Sequence, residues 1–210
     1  MIQCQCFILL AYGKWAFKSG SKDPARFWHM PRGRSATARG LGMVEKSANP
    51  PGPAGGRHPR GGMFFEDFRA GALYAHRLTR TVTQMDNMLF SNMTLNPQPL
   101  HIDRHFCATE TEWGQPLINS LFTLGLMIGM SVNDLTVGTT IANLGMSEVK
   151  FPAPLFENDT VHATTEIIGK RTSSSRPNAG IVELHHRAYK QDGTLVAECR
   201  RQAFILKRPA

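Results

Sequence analysis

The stretch QPLINSLFTLGLMIGMSVND, residues 115–134, decides how the rest of the chain is read. Its apolar residues fall on nearly every side of a helical wheel, which predicts a buried helix rather than a surface one. Pro116 suits a first helical turn, where its missing N–H is not needed. Gly125 and Gly129, four residues apart, are expected to let strands come close to the helix backbone. Asn119, Ser120 and Thr123 interrupt the apolar run and no second such segment exists, so a membrane span is not expected.

Everything downstream reads as strand. TTIANLGMSEVKF (139–151), DTVHATTEIIGK (159–170), GIVELHHRAYK (180–190) and TLVAECRRQAFIL (194–206) are rich in β-branched and apolar residues. Turn signals such as SSSRPNAG (173–180) and QDG (191–193) separate them. Upstream, ALYAHRLTRTVT (72–83) alternates as a strand does, QMDNMLFSNM (84–93) and DRHFCATETE (103–112) read as short helices, and NPQPLH (96–101) is the loop between them. One long buried helix followed by antiparallel strands is solved most simply by a sheet that curls around the helix. The expected class is α+β, a single hot-dog domain with an antiparallel sheet wrapped around a long central helix.

The formal charge of +8 would ordinarily point to nucleic acid or an anionic surface, so its position matters. Residues 1–62 carry ten Lys or Arg against Asp23 and Glu45, and residues 63–210 carry fourteen of each sign. The whole excess therefore sits in the first segment, and nothing in the remainder argues for a nucleic-acid partner. From SKDPARF to PPGPAGGRHPRGG the composition is dense in Gly, Pro and Arg with no hydrophobic period, too poor in apolar surface to offset chain entropy. Residues 1–62 are expected to be a disordered basic extension, or an over-long start before Met63, and residues 63–210 the folded domain. An organelle transit peptide is the other reading of an Arg-rich, acid-poor leader. The run CFILLAY (6–12) is too short to span a bilayer and lacks a basic stretch before it. Cys4, Cys6, Cys107 and Cys199 have neither zinc-site spacing nor the density of a disulfide framework, so a cytoplasmic, reducing setting is expected.

Six blocks now stand in order over residues 63–210: FFEDFRAG (64–71), TVTQMDNMLFSNMT (81–94), NPQPLHID (96–103), GQPLINSLFTLGL (114–126), VKFPAPLFENDTV (149–161) and SSSRPNAGIV (173–182). Together they resemble the MaoC-like dehydratases, also described as R-specific enoyl-CoA hydratases. The variant loop and turn are similar to a branch associated with small branched dicarboxylyl-CoA substrates of the mesaconyl, itaconyl or methylmalyl type. The resemblance implies reversible hydration of an α,β-unsaturated acyl-CoA thioester, with coenzyme A entering as part of the substrate and no further cofactor. It also implies a homodimer or larger assembly, since hot-dog subunits usually pair their sheets and an uncovered edge invites pairing.

In that family the loop usually reads Asp-x-Asn-Pro-apolar-His, and its Asp and His form the catalytic pair. His101 matches the histidine, whereas the position five before it is Asn96 and the family Asn is replaced by Gln98. An amide does not titrate at working pH, so the expected mechanism centres on His101, whose ordinary pKa of about 6.5 suits it to carry a proton near neutrality. Asn96 is expected to orient the water; if a second titrating group is needed, Asp86 and Asp103 are the nearest in sequence, and Asp86 is the candidate carried forward. Donors for the enolate-like oxygen are expected at the start of the long helix, where backbone N–H groups are unpaired. They are assigned to Ser120 and Leu121, with the Ser120 hydroxyl as an additional donor, in the place where family members often carry His-Gly and this chain has Asn119-Ser120; Asn119 and Gln98 are further substrate-binding candidates. Arg176 is a candidate for the free carboxylate of the substrate or a phosphate of coenzyme A.

Plainer readings exist for several of these. His101 on its own would end a loop, Asp103 suits an N-cap, Asp86 suits a cap or a solvated helix face, and Arg176 a solvated turn. His185 and His186 point to opposite faces of one strand, which argues against a shared metal. Two other functions use the same fold: a thioesterase, for which no acid lies between Glu112 and Asp134 to serve as base, and an acyl-CoA-binding subunit without activity.

Overall fold

The computed structural model describes residues 49–209. β1 (Leu73–Thr81) leads through three short helices, α1 (Gln84–Met93), α2 (Pro99–Ile102) and α3 (Arg104–Glu110), to the long α4 (Ser120–Leu135). Four strands follow: β2 (Thr140–Lys150), β3 (Thr160–Thr172), β4 (Ala179–Tyr189) and β5 (Leu195–Leu206). They form one five-stranded sheet in the order β1-β3-β4-β5-β2, and every pair is antiparallel. α4 packs against β1, β3, β4 and β5. This is the hot-dog arrangement, with each strand within two residues of its sequence-read span.

Alternation along the strands makes the inner face. In β4, Val182, Leu184, His186 and Ala188 are buried while His185 and Arg187 are only partly covered. The inner residues gather into two apolar clusters. One holds Val161, Ala163, Ala188, Val196 and Cys199 with Met127 and Met130 of α4. The other holds Ile167, Val182, Leu184, Ala203 and Ile205 with Leu135 and Phe68.

Between the clusters runs a polar seam. The His76 Nδ1 faces the Asp134 carboxylate at 3.4 Å, His76 Nε2 meets Thr165 Oγ1 at 2.7 Å, and Thr165 Oγ1 meets His186 Nδ1 at 2.8 Å. A carboxylate accepts only, so His76 donates from Nδ1. Its Nε2 then accepts the Thr165 hydroxyl proton, and Thr165 in turn accepts from the Nδ1–H of His186. That leaves the His186 Nε2 as a bare lone pair, buried and without a partner, with the unpartnered Nε and Nη2 of Arg201 also buried. Burial, then the charge of Arg201, holds the His186 imidazole neutral to well below its ordinary pKa.

α4 departs from expectation in two ways. It begins at Ser120, not near Pro116, because Leu117 forms a bridge with Phe156 and the Ile118 N–H donates to the Leu155 carbonyl at 2.9 Å. Asn119 then caps the helix, its side chain accepting from the Leu121 N–H at 3.0 Å. The helix is also not enclosed on all sides. Ser120, Leu121, Gly125, Gly129 and Asn133 form an exposed strip, and a Cβ at either glycine would meet nothing within 4 Å. The glycines therefore bring no strand close.

Of the segment 1–62 expected to be an extension, residues 1–48 lie outside the described residues. Residues 49–62 run along the domain. Asn49 exchanges two hydrogen bonds with the backbone of Ala75, Arg57 donates to the Asp134 carbonyl at 2.6 Å, and the Gly62 N–H donates to Val137 O at 3.0 Å. No helix among the described residues is long and apolar enough to cross a membrane.

Candidate functional site

Local devices position the loop around His101 one residue at a time. Thr83 and Asp86 form a capping box that starts α1. α1 ends in a Schellman turn: the Leu95 N–H donates to Asn92 O at 3.2 Å and the Asn96 N–H to Ser91 O at 2.9 Å. Leu95 takes the left-handed conformation, φ 55°, usually left to glycine there. Asn96 Oδ1 then accepts from the Gln98 N–H at 3.1 Å, and Gln98 O accepts from the His101 N–H at 3.0 Å. Pro99 opens the single turn α2, and Asp103 caps α3 by accepting from the Phe106 N–H at 2.9 Å. The buried Cys107 thiol lies 3.3 Å from the Leu100 carbonyl, holding α3 against α2.

The His101 ring, partly buried, meets the Leu117 carbonyl through Nδ1 at 2.7 Å. A carbonyl only accepts, so Nδ1 carries a proton, and Nε2 is the nitrogen that offers a lone pair whenever the ring is neutral. Leu117 is three residues before α4, so the ring sits against the entry to that helix. There the Asn119 N–H is engaged by the Asn87 side chain at 2.9 Å and the Leu121 N–H by the Asn119 side chain. Of the donors assigned from sequence, Leu121 is thus spent on the cap. The N–H of Ser120, an exposed residue, has no acceptor among the described residues.

The other sequence candidates are placed as follows. Asp86 is committed elsewhere: its carboxylate accepts from the Thr83 N–H and hydroxyl, both at 2.9 Å, and pairs with Arg80. Burial pushes its pKa up, but the Thr83 hydrogen bonds and Arg80 outweigh this and hold it low. A carboxylate so held is a poor base, and no hydrogen bond joins it to the His101 loop among the described residues. Asn96 has its carbonyl oxygen in the turn, leaving its NH2 as the group able to face a ligand. Gln98 is exposed. Arg176 lies in the β3–β4 turn, its guanidinium 5.8 Å from the centre of the Phe204 ring, and makes no hydrogen bond or ion pair with the His101 loop among the described residues. His185 pairs with Glu198 at 3.2 Å on the outer face while His186 lies in the seam.

Sequence reasoning missed Asn87 and Gln84. Asn87 is fully buried, and its Nδ2 donates to His101 O at 2.7 Å and to Leu117 O at 3.0 Å. Gln84 Nε2 donates to the same His101 O at 3.0 Å. α1 is inverted: Gln84, Asn87 and Ser91 face inward, while Met85, Met88, Leu89 and Met93 are exposed at 72, 42, 56 and 74%. Polar residues three and four apart inside an otherwise apolar helix were the available signal.

The arrangement places an imidazole whose Nδ1 is engaged by a backbone carbonyl next to a helix start whose Ser120 N–H has no acceptor among the described residues. A MaoC like domain is matched over residues 67–188. The β-methylmalyl-CoA dehydratase of Chloroflexus aurantiacus is 31% identical over 153 residues, 70% of this chain and 41% of that protein. The mesaconyl-CoA hydratase of Cereibacter sphaeroides is 30% identical over 153 residues, again 70% of this chain and 42% of that protein. The chain thus spans about two fifths of the length of these relatives. A solved structure described as a monoamine oxidase regulatory protein from Archaeoglobus fulgius is 30% identical with a TM-score of 0.63, covering 70% of this chain and 97% of that one.

Proposed function

Because the chain belongs to the MaoC-like dehydratase family, we propose that it is a hydro-lyase adding water reversibly across the double bond of an α,β-unsaturated acyl-CoA thioester. His101 Nε2 takes a proton from water, whose oxygen bonds to the β-carbon. The electron pair of the double bond moves to the thioester, and the enolate-like oxygen is met by the Ser120 N–H with the positive end of α4 behind it. The imidazolium then returns its proton to the α-carbon. The water is oriented by the Asn96 NH2. The observation that carries this reading is the 2.7 Å hydrogen bond from His101 Nδ1 to Leu117 O, which leaves Nε2 as the ring nitrogen available to exchange a proton.

The substrate proposed is a small branched dicarboxylyl-CoA of the mesaconyl, itaconyl or methylmalyl type. Two relatives bearing the names β-methylmalyl-CoA dehydratase and mesaconyl-CoA hydratase support it. The full chain is offered a panel of monocarboxylic and dicarboxylic enoyl-CoA thioesters, read by loss of the conjugated absorbance and by a thiol reagent. Loss of conjugation without thiol release, fastest with the branched dicarboxylic members, is expected. Thiol release would make the protein a thioesterase, and no reaction with any member would make it a binding subunit.

A homodimer is proposed as the working assembly. β2 is an edge strand whose Leu144, Met146 and Val149, with Phe151 just beyond, are exposed at 49, 41, 39 and 37%, an apolar edge that a second copy would cover. Light scattering after size exclusion should give twice the chain mass, and Val149→Lys should shift it toward the monomer. A wild-type monomer would refute the assembly.

A further inference from the structure

We propose that Asn87 is a positioning residue that sets the tautomer and seat of the His101 ring, an inference that rests on the reading of His101 as proton carrier. The amide of Asn87 has two N–H donors and an acceptor, and all are engaged. The donors go to His101 O at 2.7 Å and Leu117 O at 3.0 Å, and Oδ1 accepts the Asn119 N–H at 2.9 Å. Its orientation is therefore fixed, since a flipped amide would face two carbonyl oxygens with a third and leave the Asn119 N–H unpaired. No solvent reaches the residue, which is fully buried, so water cannot take over these bonds.

Leu117 O is the pivot. It accepts from the Asn87 Nδ2 and from the His101 Nδ1, at 3.0 and 2.7 Å. The loop places an amide, Asn96, five residues before the histidine, and that side chain is bound into its own turn. The imidazole is thus oriented by a backbone carbonyl, and that carbonyl is held by Asn87. Gln84 supports the His101 carbonyl only, at 3.0 Å. One side chain thereby ties α1, the His101 loop and the first cap of α4 into a single unit, so that base and N–H donor keep a common geometry.

Asn87→Asp tests this with nearly the same shape. It keeps the acceptor for Asn119 and replaces both donors with an oxygen that repels the two carbonyls. In full-length protein with 15N-labelled histidine at pH 8, the His101 ring of the wild type should be the Nδ1–H tautomer, and Asn87→Asp should move population to Nε2–H. The same variant should lower kcat for enoyl-CoA hydration by about tenfold or more with KM within about threefold, because only ring geometry changes. Asp192→Ala, which removes the hydrogen bond to the Thr194 N–H in the β4–β5 turn, should lower the melting temperature and leave both tautomer and kcat unchanged. If Asn87→Asp does not fold, Asn87→Ser, whose single hydroxyl donor cannot bond both carbonyls, is read in the same way. A wild-type ring in the Nε2–H form, or a folded Asn87 variant with wild-type tautomer and kcat, overturns the inference. Should no enoyl thioester turn over at all, the proposed reaction fails while the tautomer comparison still decides the role of Asn87.

Discussion

Lowering the pH from 8 to 5 should remove about 2 kcal/mol of stability through His186 alone. The ring is fully buried, its Nδ1–H is committed to Thr165, and its Nε2 has no partner. Burial and the neighbouring Arg201, His76 and His185 hold its pKa well below the ordinary value. In the unfolded chain the same ring titrates at about 6.5. Below that pH the unfolded state therefore binds a proton that the fold refuses, so stability rises with pH and is lost as pH falls from about 6.5 toward the depressed folded pKa. At pH 5 the unfolded ring gains RT ln(1 + 10^1.5), about 2 kcal/mol, with a limiting slope of about 1.4 kcal/mol per pH unit. His76 adds to the slope, since burial outweighs the pull of Asp134 and lowers its pKa too. The carboxylate of Asp134 is itself held low by Arg77 against the effect of burial, so it stays charged across this range. Urea unfolding at fixed protein concentration from pH 8 to 5 measures the slope, and His186→Gln should flatten it by about one proton. A wild type whose stability is flat over that range, or a His186→Gln protein with an unchanged slope, would refute the reasoning.

Three further outcomes concern the frame of the site. Asp103→Ala removes the α3 cap and should cost about 1 kcal/mol by thermal melting. Gly180→Ala places a Cβ against the Phe65 ring, and the overpacking should lower stability by about 1–3 kcal/mol in urea titrations. Leu95 sits exposed at φ 55°, so Leu95→Gly relieves left-handed strain without losing packing. Its melting temperature should match or exceed that of the wild type, a gain of at most about 1 kcal/mol after the added unfolded-state entropy.

Much of this was legible in residue order. The period change from helix to strand after residue 135 reflects side chains that must all point at one helix, and that demand is local to each strand. Asp103 as a cap and the opposite faces of His185 and His186 follow from spacing alone. The interior of α1 was not legible, because hydrophobicity points its methionines inward whereas hydrogen-bonding demand from two loop carbonyls turns Asn87 in instead. The start of α4 was misplaced for a similar reason: the bridge from Leu117 to Phe156 is a contact across 39 positions of sequence, and no local preference encodes it. Which backbone N–H groups stay unpaired at that helix start depends on the Asn87 and Asn119 side chains, so Leu121 could not be separated from Ser120 without the fold.

The central claim is that the His101 imidazole moves the proton between water and an unsaturated thioester. Its most direct measurement is the single-turnover decay of enoyl-CoA absorbance by the full chain and by His101→Ala at matched folding. The account predicts decay without thiol release in the wild type and a rate at least about a hundredfold lower in the variant. Equal rates in the two proteins would contradict it.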